Sequence, residues 1–300
     1  MGHHHHQHNH GSNNIGITIA LNLGITIAQV IGGVISGSMA LLTDAAHNFS
    51  DVLSLIISWA ARKLTGRKLT TNRTFGYKRA EIFAAFVNST TLIVIAVVLA
   101  VEAIDRLMNP VEVQGNIVIW LAGLSIFVNG LSVLLIKKDA KNSMNMKSAY
   151  LHLFTDMLTS IAVLFGGLLM KYFGWFWVDG VLSLGIAAFL VYSSWAIFAE
   201  SLKIMMQFTP KSIDIEKIAI EVQEIDGLKN IHHIHVWQLD EHEIIFEAHV
   251  DLEKNILLSE FETILKDINL VLGRNGIHHC NIQPEYSVED NKDLINNLGH

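Results

Sequence analysis

The chain has 300 residues, 51% of them hydrophobic and only 16% charged, with a mean hydropathy of +0.38. Soluble domains carry nearer a quarter charged residues, so composition excludes an ordinary soluble protein and places much of the chain in lipid. The net charge of −7 conceals a division: residues 1–207 hold 14 Lys+Arg against 10 Asp+Glu, residues 208–300 hold 7 against 18.

Residues 1–14 open with "MGHHHHQHNHGS", which reads either as a native His-rich metal-gathering segment or as a purification tag. Either way they are expected to be disordered. Six apolar stretches follow at about 15–36, 39–61, 80–103, 115–136, 148–170 and 175–199, each near the ~20 residues that cross a ~30 Å hydrocarbon core. The first is the weakest, with Asn22 and Gln29, and reads as a retained helix. Between stretches 2 and 3 lie Arg62, Lys63, Arg67, Lys68, Arg73, Lys78 and Arg79, and between stretches 4 and 5 lie Lys137, Lys138, Lys141 and Lys147. The other loops are nearly bare of basic residues. The positive-inside bias then puts both basic segments and both termini in the cytoplasm, with Trp175 and Trp177 anchoring the outer interface. Residues 15–207 thus form a six-helix transmembrane domain in the lipid bilayer.

Beyond Pro210 the periodicity predicts a helix over 213–225, strands over 230–239 and 244–252, a helix over 257–272 and a strand over 277–283. That is a small α+β domain at 208–288 with helices on one face of a sheet. Its acidity excludes nucleic acid, which requires a basic face. Residues 289–300 read as a disordered tail. The lone cysteine, Cys280, excludes a disulfide framework and a thiolate-cluster zinc site within one chain.

Of sixteen histidines, only His47 and His152 fall in the membrane part, and each is followed four residues on by an aspartate, Asp51 and Asp156. Residues i and i+4 of a helix share one face, so each HxxxD pair can grip one ion. Two such helices facing each other supply two imidazoles and two carboxylates, a tetrahedral set suited to Zn²⁺. Ionisable groups inside a bilayer are costly and read as functional by default. The alternative is hydrogen bonding between helices, and the pairing of two identical motifs argues against it.

With Zn²⁺ bound, two carboxylates leave the site neutral, whereas the empty pair would carry two like charges in a low dielectric. Protons and metal therefore compete for the same atoms. This predicts zinc/proton antiport by alternating access, with about one or two protons per ion. Asp44, on the face of His47, reads either as an ion guide at the outer mouth or as a solvated helix end. Glu81 is expected to pair with Lys78 or Arg79, and Asn22, Asn88 and Asn129 to bond between helices.

Several segments carry a family resemblance. "SMALLTDAAHNFSDVLSL", "TFGYKRAEIFAAFVNS" and "AYLHLFTDMLTS" resemble the second-helix, third-helix and fifth-helix motifs of the cation diffusion facilitators. "HHIHVWQL" and "HHCNIQPE" resemble strands of that family's cytoplasmic domain. The resemblance implies six helices with a transport site between the second and fifth, a ferredoxin-like C-terminal cytoplasmic domain, a homodimer, and exchange of cytoplasmic Zn²⁺ for protons. Carried onto this chain, the transport ligands are His47, Asp51, His152 and Asp156. The two imidazoles favour Zn²⁺, with Cd²⁺ and Co²⁺ as companions. Residues 48–151 contain no histidine, so no second site is expected in the segment joining the second and third helices. The short basic segment between the fourth and fifth helices implies a prokaryotic-type efflux protein of the cell membrane.

In the family, cytoplasmic zinc sites draw a His from each of the first two strands and a His with an acidic residue near the last. That implies His232 (or His235), His249, His278 or His279, and Glu285, the alternative being surface histidines on an acidic domain. If the resemblance holds there, cytoplasmic zinc cross-links two tails and biases the membrane domains by linkage. Competing classes are an intramembrane metal-dependent enzyme, a zinc sensor and a passive channel. An enzyme needs an open coordination position and a general base. No HExxH or comparable set is present, so no catalytic role is expected.

Overall fold

The computed structural model describes residues 10–136, 144–240 and 242–295, without the side chains of 10–19 and some others. Residues 1–9, Lys137, Lys138, Lys141, the side chain of Lys147 and residues 296–300 lie outside the described residues. The chain divides into two compact units, 1–59 with 87–198 and 60–86 with 199–300. In order, the elements are α1 (His10–Ser36), α2 (Met39–Thr65), α3 (Ala80–Met108), α4 (Gly115–Ile136), α5 (Met144–Phe173), α6 (Trp177–Met205), α7 (Ile215–Gln223), β1 (Leu228–Gln238), β2 (Ile244–Leu252), α8 (Leu258–Arg274) and β3 (His279–Glu285).

The first unit is helical. α3 to α6 each contain a stretch long and apolar enough to cross a membrane, and the described side chains of α1, Ala20–Ser36, belong to a further apolar helix of 27 residues. α2 fails that test for a physical reason: Thr43, Asp44, His47, Asn48 and Ser50 form a polar stripe, and all five are buried. Large apolar side chains such as Val101, Trp120, Phe127, Phe165 and Tyr192 are exposed instead, the reverse of a water-facing surface and suited to lipid. The packed interior is built of small and branched residues, among them Ala40, Leu41, Ala96, Ala122, Val163 and Leu190.

Two contacts fix the helices that matter below. At the α4–α5 crossing, a Cβ on Gly115 would lie 2.9 Å from the Gly167 carbonyl oxygen, and one on Gly167 would lie 3.1 Å from Val118 and Ile119. Only glycine permits such an approach of backbones. At the start of α2, Gly37 turns the chain with a φ of +72, and Asp179 from the first turn of α6 caps the helix. Its carboxylate accepts from the Met39 amide at 2.7 Å, the Ala40 amide at 3.2 Å and the Ser38 hydroxyl at 2.6 Å. These are the orphan donors of a helix N-terminus, where negative charge is favoured.

Some expected contacts take other forms. Lys78 pairs with Glu243 rather than with Glu81, and the Glu81 carboxylate accepts from the Thr65 hydroxyl at 3.4 Å. The buried Asn88 carbonyl oxygen and both amide atoms of Asn129 have no hydrogen-bond partner, while Asn22 contributes its backbone carbonyl to Thr26.

The C-terminal part of the second unit is α7-β1-β2-α8-β3. β1 and β2 pair antiparallel, and β2 and β3 pair parallel, with strand order β1-β2-β3. α7 starts at an Asp214 cap whose side chain accepts from the Lys217 amide at 3.0 Å, which trims the expected helix at its front. Phe246, Ala248 and Val250 of β2 join Ile218, Val222, Ile268 and Leu272 of the helices in one core. The period of two along a strand sends the odd-numbered residues, His249 and Asp251, to the other face. The expected last strand is displaced by two residues and ends at Glu285. The chain that follows is not frayed through Ile295. The His233 and Ile234 amides donate to the Asp293 and Leu294 carbonyls at 3.2 and 2.9 Å, and Leu294 packs on the core.

Candidate metal centre

α2 and α5 bring both HxxxD pairs together inside the first unit. His47 Nε2 lies 3.2 Å from Asp156 Oδ1, and His152 Nε2 lies 3.2 Å from Asp51 Oδ2. Within each helix, His47 Nδ1 is 3.6 Å from Asp51 Oδ2 and His152 Nε2 is 3.6 Å from Asp156 Oδ2. The two imidazole rings stand edge to face, 5.8 Å apart. Donors around a tetrahedral zinc at 2.0–2.2 Å are separated by about 3.3 Å, close to these spacings. His47, His152 and Asp156 each offer a donor atom within 4.8 Å of the others. Asp51 stands at the edge of that set, its Oδ2 beside both imidazoles.

His47 Nδ1 and Asp51 Oδ2 are buried without a hydrogen-bond partner, as expected of donors arranged for an ion rather than for each other. Side-chain exposure is graded: 3% at Asp156 and 9% at His47, against 28% at Asp51 and 44% at His152. The two open donors lie one turn nearer the helix ends that lead into the basic segments.

Asp44 is neither a solvated helix end nor an exposed ion guide. It is buried, its Oδ2 accepts from Gln29 Nε2 at 2.6 Å, and Gln29 Oε1 accepts from Asn48 Nδ2 at 3.1 Å. This buried relay from α1 to α2 braces the turn that carries His47. Its signal in the sequence was the i, i+4 pair Asp44 and Asn48 together with Gln29 in a mainly apolar helix.

A second cluster forms on the face of the tail's sheet away from α7 and α8, with His232, Asp251 and Glu285 buried. His232 and His249 are directly paired across β1 and β2, and Asp251 and Glu285 across β2 and β3. His249 Nδ1 lies 2.7 Å from Glu285 Oε1, and His232 Nε2 lies 3.4 Å from Glu285 Oε2 and 3.3 Å from Asp290 Oδ2. These four residues offer donors within 4.8 Å of one another. His235 sits opposite Glu247, further along β1. His278 and His279 do not reach the cluster. His279 pairs with Ile245, six residues along β3 from Glu285 and so about 20 Å away. Both instead line a separate pocket with Asp240, His242 and Glu243. Asp251 and Asp290 are cluster members that the sequence did not single out, since neither falls in a spaced motif.

Comparison with known proteins identifies both parts of the chain. Residues 15–206 match the family model described as the cation efflux transmembrane domain, and residues 210–287 match that of the cation efflux protein, cytoplasmic domain. Among curated proteins the chain is 36% identical over 299 residues to a cadmium, cobalt and zinc/H(+)-K(+) antiporter of Bacillus velezensis, covering 98% of this chain and 95% of that one. It is 30% identical to the metal cation efflux system protein CzcD of Cupriavidus metallidurans, covering 95% and 90%. It is 31% identical to the zinc transporter ZitB of Escherichia coli, covering 88% and 84%. Two helix-borne His/Asp pairs in a lipid-facing bundle, a small histidine-bearing sheet domain after it in the chain, and likeness along nearly the full chain make this a multi-pass membrane protein of the cation diffusion facilitator family, in the branch that holds these bacterial efflux proteins.

Proposed function

We propose that the protein exports Zn²⁺ from the cytoplasm in exchange for protons, with His47, Asp51, His152 and Asp156 as the ion's ligands and Cd²⁺ and Co²⁺ as further substrates. The observation that carries this is the convergence of two imidazoles and two carboxylates on α2 and α5 at 3.2–3.6 Å. Imidazole donors suit borderline ions such as Zn²⁺ better than Mg²⁺ or Mn²⁺. The similarity to an antiporter named for cadmium, cobalt, zinc and H(+) supports the same reading.

The residues suggest how coupling works. An ion that enters leaves the site neutral, and its departure leaves two carboxylates facing each other in a low dielectric, a state that protons relieve. Metal and protons then occupy the site alternately. The graded exposure from Asp156 to His152 supports loading from the side of the basic segments, which positive-inside bias assigns to the cytoplasm. Lys78 of the first basic segment pairs with Glu243 of the tail, which supports placing that segment and the C-terminal domain on one side.

Zn²⁺ uptake into proteoliposomes with an imposed pH gradient tests the coupling. Uptake is expected to rise with a gradient that drives protons outward against the entering ion. Rates independent of the gradient would refute antiport.

The tail cluster favours a second role, zinc sensing by a homodimer's cytoplasmic domains. His232, His249 and Glu285 present a divalent-ion geometry on the sheet face that the helices leave uncovered. His249→Ala is expected to abolish zinc-dependent compaction of the two tails, followed by an intermolecular distance label. Full compaction in that variant would remove the sensing role.

A further inference from the structure

The tail cluster already holds a cation, and it belongs to the chain itself. Lys292 Nζ lies 2.9 Å from Asp251 Oδ1, 3.0 Å from Glu285 Oε2 and 3.3 Å from His232 Nε2, and pairs also with Asp290. It therefore sits among the atoms that offer themselves to a divalent ion. The lysine is delivered by an ordered strap. Just beyond it, the Asp293 and Leu294 carbonyls accept from the His233 and Ile234 amides of β1, Leu294 is anchored in the core, and the Asp293 amide donates to the Asn291 side chain.

We propose that the Lys292 ammonium is an internal occupant of the cytoplasmic metal site, which a divalent cation must expel to bind, so that the C-terminal strap sets the metal concentration at which the tail responds. The inference rests on the tail-site reading above. Three carboxylates, Asp251, Glu285 and Asp290, surround one positive charge and two imidazoles, so the cluster remains anionic with lysine in place. A doubly charged ion matches it better than an ammonium does. An ammonium contacts oxygens at the 2.7–3.0 Å of a charge-assisted hydrogen bond, whereas zinc draws them to about 2.0–2.2 Å. Both cannot share the centre. Asp290 stays as a ligand when Lys292 leaves, which makes the strap a contributor to the metal-bound form as well as its competitor. Apparent affinity is then lowered by the fraction of molecules in which the lysine is seated.

The test uses the full-length protein in detergent with Asp51→Ala and Asp156→Ala, and subtracts the Zn²⁺ binding that persists when His249→Ala is added, because the His-rich start also takes up zinc; the difference reports the tail site. Zn²⁺ affinity is measured by competition with a chelating dye, with and without Lys292→Gln. In parallel, the acylation rate of Lys292 is read by mass spectrometry with and without Zn²⁺. Removing the ammonium is expected to tighten binding about tenfold or more, and Zn²⁺ is expected to accelerate labelling of Lys292 in the protein that retains it. A merely structural lysine would give the opposite, weaker binding in Lys292→Gln. Equal or weaker affinity with unchanged labelling overturns the internal-occupant model while leaving the metal site standing. No tail-bound zinc in either protein overturns both.

Discussion

Asp156→Ala is expected to abolish Zn²⁺ transport and to weaken binding at the transport site by at least about 100-fold. Changes to groups that merely orient metal ligands cost 10–100-fold in affinity, and this substitution removes a ligand itself. Asp156 is also the donor the others converge on, 3.2 Å from the His47 ring and 3.6 Å from that of His152. Without it a bound divalent ion keeps one carboxylate, and the site carries an uncompensated positive charge inside the helix bundle, which is expensive there. The measurement is Zn²⁺ titration calorimetry on the purified protein beside flux in proteoliposomes. Near wild-type flux through Asp156→Ala would place the ion's path elsewhere.

The second large effect arises well away from the donors, at Asp179. Asp179→Ala leaves the Met39 and Ala40 amides and the Ser38 hydroxyl without their acceptor inside a packed interface. Buried unsatisfied donors cost about 1–3 kcal/mol each and a lost cap about 1 kcal/mol. A destabilisation of about 2–4 kcal/mol is therefore expected, read as a lowered melting temperature in detergent. Because α2 carries His47 about two turns beyond this cap, the variant's zinc affinity should also fall. Asp179→Asn keeps a carbonyl acceptor and should recover much of the stability. Identical melting of wild type and Asp179→Ala would show that α2 is held by packing alone.

The apolar helices and the meeting of the two HxxxD pairs were legible in the sequence because their physics is one-dimensional. Length and apolarity mark the spans, and an i, i+4 His/Asp pair marks a helix face. The α4 boundaries, 115–136, coincide with the observed helix, since apolar residues begin and end there abruptly. Asp179 was not legible. Its partners lie about 140 residues away, and nothing local distinguishes it from an ordinary helix-start aspartate. The same holds for Lys292, which in sequence is one lysine in a polar tail. The choice between His278 or His279 and more distant partners turned on strand register, where a shift of two residues moves a side chain by about 7 Å along the sheet. Spacing on a single strand cannot supply that, and the structure puts both histidines at the far end of β3.

The irregularity in β1 has a consequence for which changes this protein tolerates. Between His232 and His235 the strand holds one residue more than its partner, and His233 takes a left-handed φ of 51 to accommodate it. Ahead of that extra residue, Ile231 points to the apolar layer and His232 to the opposite face, where it is fully buried beside Lys292. Deleting one residue there would swap the two, driving an imidazole in among Ile218 and Phe246 and an isoleucine in among the carboxylates of Asp251, Glu285 and Asp290. In this stretch of the chain, gaining or losing a codon would disturb the metal-facing and core-facing sides together, whereas a single substitution touches only one of them.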